Sequence, residues 1–189
     1  VFVSPVQARP LRILVTGDTK LDESAGSALL YLKRALQPTP NLEPIVTTQP
    51  DFAEQDLKDI EAVVILDQWS AKVGQNLNQF AESGGLVIAL PSADAESDAL
   101  ASLVGDETWQ LSEAEGKEFS LLGDIDFEHP VLEPFARARI RDFTKIRFWK
   151  HRVLSLSEAP GESTRILATF DGESPAIIEK CIGDGTKFA

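Results

Sequence analysis

Cysteine is almost missing from this chain: Cys181 is the only one in 189 residues. An internal disulfide and a zinc site built from several thiolates are therefore excluded. Long apolar runs are also missing. None approaches the ~18 residues a membrane-spanning helix needs, no secretory leader pattern stands at the start, and no Asn-x-Ser/Thr acceptor occurs. Positive charge is scarce, with 18 Lys and Arg against 30 Asp and Glu and a formal net charge of −12. A field of that sign opposes general binding to nucleic acid or to an anionic membrane surface. Glycine-rich phosphate loops are absent too. Thr16-Gly17-Asp18-Thr19 follows the first apolar run with one glycine, not the Gly-x-Gly-x-x-Gly fingerprint, so no nucleotide cofactor is expected.

What is present is enough apolar residue, 43%, to bury a substantial core in one large domain. Residues 1–10 hold two prolines and no period and read as a linker or the tail of a preceding domain; the domain itself spans 11–189. The opening Val and the closing Lys187-Phe188-Ala189, which resembles a strand cut short, suggest a piece of a larger protein. Two runs organise the rest. Ala62 to Ser70 and Gly84 to Ser92 each carry five or six unbroken apolar residues that end in polar ones, the pattern of strands buried on both faces. The segment between them has helical spacing, with Ser70 as its cap, Val73, Leu77, Phe80 and Ala81 on one face, and glycine at its end. Strand, helix, strand at this spacing is a βαβ unit with parallel strands.

A first strand is expected at Arg12 to Asp18, then a helix capped by Asp22 or Ser24 with Ala25, Ala28, Leu29, Leu32 and Leu36 inward, ended by Pro38 and Pro40. Leu42 to Thr48 reads as an edge strand because of Pro44. A further helix is expected over Asp94 to Val104, with Ala99, Leu100, Leu103 and Val104 inward. After Gly105 the alternation stops. Short strands are expected at Trp109 to Leu111 and Phe119 to Leu122, and a long one over Thr144 to Leu156. Arg165 to Phe170 and Ala176 to Ile182 form a hairpin about Asp171-Gly172, followed by a tight turn at Gly183-Asp184-Gly185 into Lys187-Phe188. The fold class is α/β: a flavodoxin-like, mostly parallel four-stranded sheet flanked by helices, with an antiparallel C-terminal extension.

Ligands of open parallel sheets bind outside the carboxyl ends of the strands. Here those ends hold Asp18, Asp67, Gln68, Trp69 and Ser92. Trp69 is either a lid over the following helix or an exposed anchor. Ser92 follows a buried strand as a serine nucleophile would, but it reads Leu-Pro-Ser-Ala-Asp rather than Gly-x-Ser-x-Gly, and a helix N-cap is the plainer use. Asp124, Asp126 and Glu128 would share one face of a strand beside His129, an oxygen-rich cation site in principle; the run lacks the glycine of a metal loop, and a solvated acidic edge is the plainer reading. Arg137, Arg139, Arg141, Lys145, Arg147, Lys150 and Arg152, interleaved with Phe143, Phe148 and Trp149, form the one basic region. In so acidic a chain it suits an acidic protein surface better than nucleic acid.

Taken in order, the first strand ending in Gly-Asp, then Val-Val-Ile-Leu-Asp, Gly-Gly-Leu-Val-Ile, Glu-His-Pro-Val-Leu-Glu-Pro-Phe, Gly-Glu-Ser-Pro-Ala-Ile-Ile-Glu and Gly-Asp-Gly-Thr-Lys-Phe-Ala resemble the class I glutamine amidotransferase-like fold. More narrowly, the chain resembles the divergent version found in bacterial membrane-anchored proteins that carry a von Willebrand factor A domain. Active members present a cysteine at a Gly-x-Cys-x-Gly elbow, with a late histidine and acidic residue as its partners. The corresponding exits here, Leu66-Asp67-Gln68-Trp69 and Ala89-Leu90-Pro91-Ser92, have neither cysteine nor flanking glycines. Cys181 falls in the terminal hairpin, where a small packed residue is expected. His129 precedes a proline in a turn. The resemblance thus implies the fold without the amidotransferase activity. It implies a binding or scaffolding domain with no cofactor and no metal, contacting other domains of a membrane-associated parent or a protein partner. The alternative is a hydrolase using Ser92 or a metal at Asp124, Asp126 and Glu128.

Overall fold

The computed structural model describes residues 9–17, 27–50, 52, 57–92, 95–114, 119–136, 145–156 and 161–183. Its centre is a four-stranded parallel sheet of β1 (Arg9–Gly17), β2 (Leu42–Gln49), β3 (Ala62–Asp67) and β4 (Leu86–Pro91), in the order β2-β1-β3-β4. The α/β class holds. The two inner strands explain the continuous apolar runs: Ile13, Leu14 and Val15 of β1 and Ala62 to Leu66 of β3 are buried on both faces. β1 starts at Arg9, which pairs with Leu42, so the expected linker is shorter than ten residues. β2 lies at the edge, as Pro44 suggested.

β4 departs from expectation. Its apolar run is as long as that of β3, yet it forms the opposite edge, and Ile88 and Leu90 are 36% and 44% exposed. Apolarity predicted two covered faces; position in the sheet decides how many are covered.

Helices cover both faces of the sheet. On one, α1 (Ala28–Ala35) packs Leu29, Leu32 and the following Leu36 against Ile13, Val15, Val64 and Leu66. Its cap is Ser27, whose Oγ accepts from the Leu30 amide at 3.2 Å; Asp22, Ser24 and Ala25 lie outside the described residues. On the other, α2 (Ala71–Glu82) and α3 (Ser97–Val104) join Leu14, Val63 and Ile65 in the larger core cluster with Leu77, Leu100, Leu103 and Trp109. Ser70 caps α2 through the Val73 amide, as expected. α3 begins later than expected. Its N-cap is Glu96 without a side-chain bond, not Ser92, whose carbonyl instead accepts from the Ala95 amide at 3.2 Å. Asp94 lies outside the described residues.

The C-terminal half is antiparallel, as expected. β5 (Gln110–Glu113) pairs with β7 (Arg152–Ser155), and β6 (Leu122–Ile125), β8 (Thr164–Phe170) and β9 (Pro175–Lys180) form a sheet in the order β6-β8-β9. The long strand expected up to Leu156 is regular only over β7; earlier pairing is reduced to a bridge between Phe148 and Ser120. The β8–β9 connection is longer than an Asp-Gly turn. Phe170 donates to the Ser174 carbonyl, and Glu173 rather than Gly172 takes the positive φ, 67°. No described helix is long and apolar enough to cross a membrane.

Three carboxylates clasp this frame together. Glu61 accepts from the Arg12 amide at 3.2 Å and the Arg9 guanidinium at 2.8 Å, which holds its carboxyl below the usual range. Asp106 accepts from the hydroxyl and amide of Thr108 and faces Lys180 of β9 at 3.4 Å, with the same effect. At Asp126 burial pushes upward, but Arg165 at 2.5 Å and the amides of Glu128 and His129 outweigh it and lower the carboxyl. A lowered carboxyl stabilises the fold above its unfolded value, and that contribution disappears as pH falls through its folded one. Urea midpoints are therefore expected to be flat near neutrality and to drop below about pH 4. Asp106→Asn should shallow that drop; an unchanged acid limb would remove Asp106 from the account.

Candidate functional site

The carboxyl ends of β3 and β4 are tied to one another, since the Ser92 amide donates to the Asp67 carbonyl at 2.9 Å. Asp67 leaves β3 with φ 69°, a conformation that Asp tolerates better than most residues, and this turns the chain toward the Ser70 cap of α2. Asp67 and Gln68 stand on the surface of that edge, half-buried and exposed respectively. Trp69 does not. It is 8% exposed, joins the core cluster and donates from Nε1 to the Ala99 carbonyl at 3.1 Å. The tryptophan is thus a buried tie between the β3 exit and α3, which is nearer to a lid than to an anchor. Asp18 lies outside the described residues.

Beyond β4, the edge opens into a cavity of about 690 Å³. Pro91 and Ser92 form one wall. Glu113 and Ala114 at the end of β5, the Ser120–Phe148 bridge, and Phe170 complete it, while Trp149, Lys150, His151 and Arg152 line the remaining side. The last four come from the basic region read in the sequence; of that region, 137–144 lie outside the described residues. Aromatic contacts fix the walls. Phe119 meets Trp149 edge-on at 5.6 Å, with the Arg147 guanidinium 4.7 Å from the Phe119 ring. Phe148 meets Phe170 at 5.4 Å, and the His151 ring lies 4.1 Å from the Phe170 ring. Trp149 is 64% exposed, the largest exposure among the big apolar side chains of the described residues. Arg152 is anchored by a bond from Nη2 to the Ala95 carbonyl at 3.0 Å.

This cleft offers cationic groups on an aromatic frame, with one acid, Glu113, among its described lining residues. It offers little for nucleophilic chemistry. Ser92 and His151 share the cavity, but among the described residues no hydrogen bond joins them, and His151 is set against Phe170 rather than oriented by a carboxylate. A serine nucleophile needs both features.

His129 is not part of this edge. It is 2% exposed, its Nδ1 accepts from the Val131 amide at 3.3 Å, and its Nε2 lies 3.4 Å from Oε2 of Glu179 on β9. The Nδ1 contact puts the proton on Nε2, facing the carboxylate. The pair pins the His129-Pro130 turn to the terminal sheet. Cys181 lies just past β9, and its amide donates to the Ser163 carbonyl, a place in the hairpin rather than at a strand-to-helix elbow.

The cation site that Asp124, Asp126 and Glu128 would make in the alternative reading is not assembled among the described residues. Asp124 is in β6, whereas Asp126 lies beyond it, engaged with Arg165 and with the Glu128 amide at 3.1 Å. Among the described residues no group of three His, Cys, Asp or Glu is placed to hold a metal ion. Sequence reading missed His151 and Glu113 as cleft residues and Glu179 as the partner of His129. Lys150-His151-Arg152 directly after Phe148-Trp149 was a local signal for the first; the other two depend on pairings distant in sequence. No family model matches the chain, and no curated protein matches it either.

Proposed function

We propose that this chain is a non-catalytic binding domain, amidotransferase-like in fold, whose recognition site is the cleft beyond β4 and whose ligand is an acidic polypeptide segment. That segment belongs to a neighbouring domain of the same, membrane-anchored parent or to a protein partner. The observation that carries the reading is the pairing of an exposed aromatic, Trp149, with Lys150, His151 and Arg152 around one cavity in a chain of net charge −12. Aromatic and arginine side chains in a partly desolvated pocket supply much of the energy of protein interfaces. A local cationic site on an acidic molecule selects against its own surface and for an acidic partner. The resemblance in motif order supports the fold family, and the missing cysteine at both strand exits supports the loss of its chemistry.

Titration calorimetry with a hexaglutamate peptide tests the reading. Binding is expected at low salt and should weaken as salt screens the cleft. Trp149→Ala should weaken it about tenfold or more, and Lys150→Glu should abolish it. Equal binding by the Lys150→Glu protein would sink the proposal. So would glutaminase activity in the purified chain, or ester hydrolysis that disappears in Ser92→Ala.

A further inference from the structure

Successive residues of a strand point to opposite faces, so a cavity lying against one face touches every second residue. One cavity of about 540 Å³ departs from that pattern on two strands at once: Leu86 through Pro91 all line it, and so do Pro175 through Ile178. It therefore borders strand edges rather than faces, namely the side of β4 away from β3 and the side of β9 away from β8. Neither edge has a partner strand among the described residues. The floor between them is apolar and includes Leu103, Trp109, Leu111 and Leu154. Ile88 and Leu90 beside one rim and Ile177 beside the other are 36%, 44% and 38% exposed. Two rows of backbone donors and acceptors over an apolar floor suit an extended polypeptide, which can bond to both rows; an apolar small molecule would leave both rows unsatisfied.

Charge says which polypeptide. β4 ends and β9 begins at the cationic cleft, since Pro91 and Ser174 both line it. His151 and Arg152 line the cleft and the slot alike, and Lys180 closes β9 at the slot's other end. No Asp or Glu is among the described residues that line the slot. A segment lying there meets cations at both ends and apolar side chains between them, which selects acidic flanks around an apolar middle. The six residues of β4 set the length of the slot; at ~3.3 Å per residue that is ~20 Å.

We propose that the slot between β4 and β9 is a strand-docking site for a segment of a protein partner, about six extended residues long, apolar at alternate positions and flanked by acidic residues. The proposal rests on the cleft reading above and extends it: the acidic residues that the cleft takes are one flank of a segment whose middle adds a strand to both sheets. Alternate side chains of the segment rest on the floor, and the others cover Ile88, Leu90 and Ile177. The docked strand links the sheets in the order β2-β1-β3-β4-segment-β9-β8-β6.

The test compares two peptides of equal charge on the 189-residue protein, hexaglutamate and Glu-Glu-Glu-Val-Thr-Val-Thr-Val-Thr-Glu-Glu-Glu, by calorimetry and amide hydrogen exchange. The longer peptide should bind about tenfold or more tighter. It should also slow exchange of β4 and β9 amides about tenfold or more, whereas hexaglutamate leaves them unchanged. Proline in place of its three valines removes those donors and should return the affinity to that of hexaglutamate. Equal affinity of hexaglutamate and the longer peptide sinks this proposal and leaves the cleft reading standing. Binding by neither peptide sinks both. Exchange in β4 and β9 that does not respond to the longer peptide overturns the docking site, and so does undiminished binding by the proline version. Protection that follows protein concentration instead of peptide gives the slot to a second copy and overturns it equally.

Discussion

Gly17→Ala is expected to lower the melting temperature by about 12 °C, using ~3 °C per kcal/mol for a chain of this size. Gly17 ends β1 at φ 139°, opposite Leu66 of β3. A Cβ built there would lie 2.1 Å from the Leu66 carbonyl oxygen and 2.8 Å from its carbonyl carbon. Both are backbone atoms of the central strand pair, so no side chain can swing aside. The conformation itself is one that glycine alone adopts readily, worth about 1–3 kcal/mol of strain for any other residue, and forcing a methyl into packed backbone adds about 1–3 kcal/mol. Together these suggest about 4 kcal/mol, a large part of the stability of an ordinary domain. Thermal unfolding followed by circular dichroism checks it. Gly84→Ala is the control, because Gly84 also has positive φ, 110°, but nothing lies within 4 Å of its would-be Cβ. If the two variants lose the same stability, strain alone is at work and the β1–β3 approach is not the cause.

The same contrast between local pattern and neighbours explains what was legible in the sequence. The buried inner strands β1 and β3 declare themselves through apolar continuity, and α2 through its cap, its stripe and its terminal glycines, because those signals arise within one element. β4 misleads because Leu86 to Leu90 is as apolar as Val63 to Leu66, and only its place at the end of the sheet order leaves Ile88 and Leu90 uncovered. Trp69 was ambiguous for a related reason. Its indole N–H finds the Ala99 carbonyl thirty positions away, and nothing beside it in sequence announces that bond. Ser92 reads as an N-cap in sequence, but the helix starts at Ser97 with Glu96 as its cap, and the Ser92 carbonyl accepts from the Ala95 amide. Asp124, Asp126 and Glu128 looked like a shared face only while they were assumed to lie in one strand, whereas β6 stops at Ile125. The cleft was half legible: its basic and aromatic wall is contiguous from Arg147 to Arg152, and its opposite wall, at the end of β4, was singled out for a different reason.

Glu179→Ala is expected to cost about 2 kcal/mol, the size typical of leaving a buried hydrogen-bond donor without its acceptor. Side-chain exposure is 2% for His129 and 10% for Glu179, so neither group has water to replace a lost partner. The alanine removes the carboxylate that faces Nε2 of His129 at 3.4 Å. Glu179→Gln should cost less, since its carbonyl oxygen still accepts from Nε2 at nearly the same place; its own loss measures the charge, and the further loss in Glu179→Ala measures the hydrogen bond and the removed side chain. The double replacement His129→Phe with Glu179→Leu should recover much of the loss, because a buried pair exchanged for apolar groups of similar volume leaves no orphaned polar atom. Urea unfolding of the unaltered protein, His129→Phe, Glu179→Leu and the double replacement forms a double-mutant cycle. A coupling energy near zero would mean that the two side chains are merely neighbours. It would also remove the physical reason for treating the His-Pro turn and the terminal hairpin as one unit.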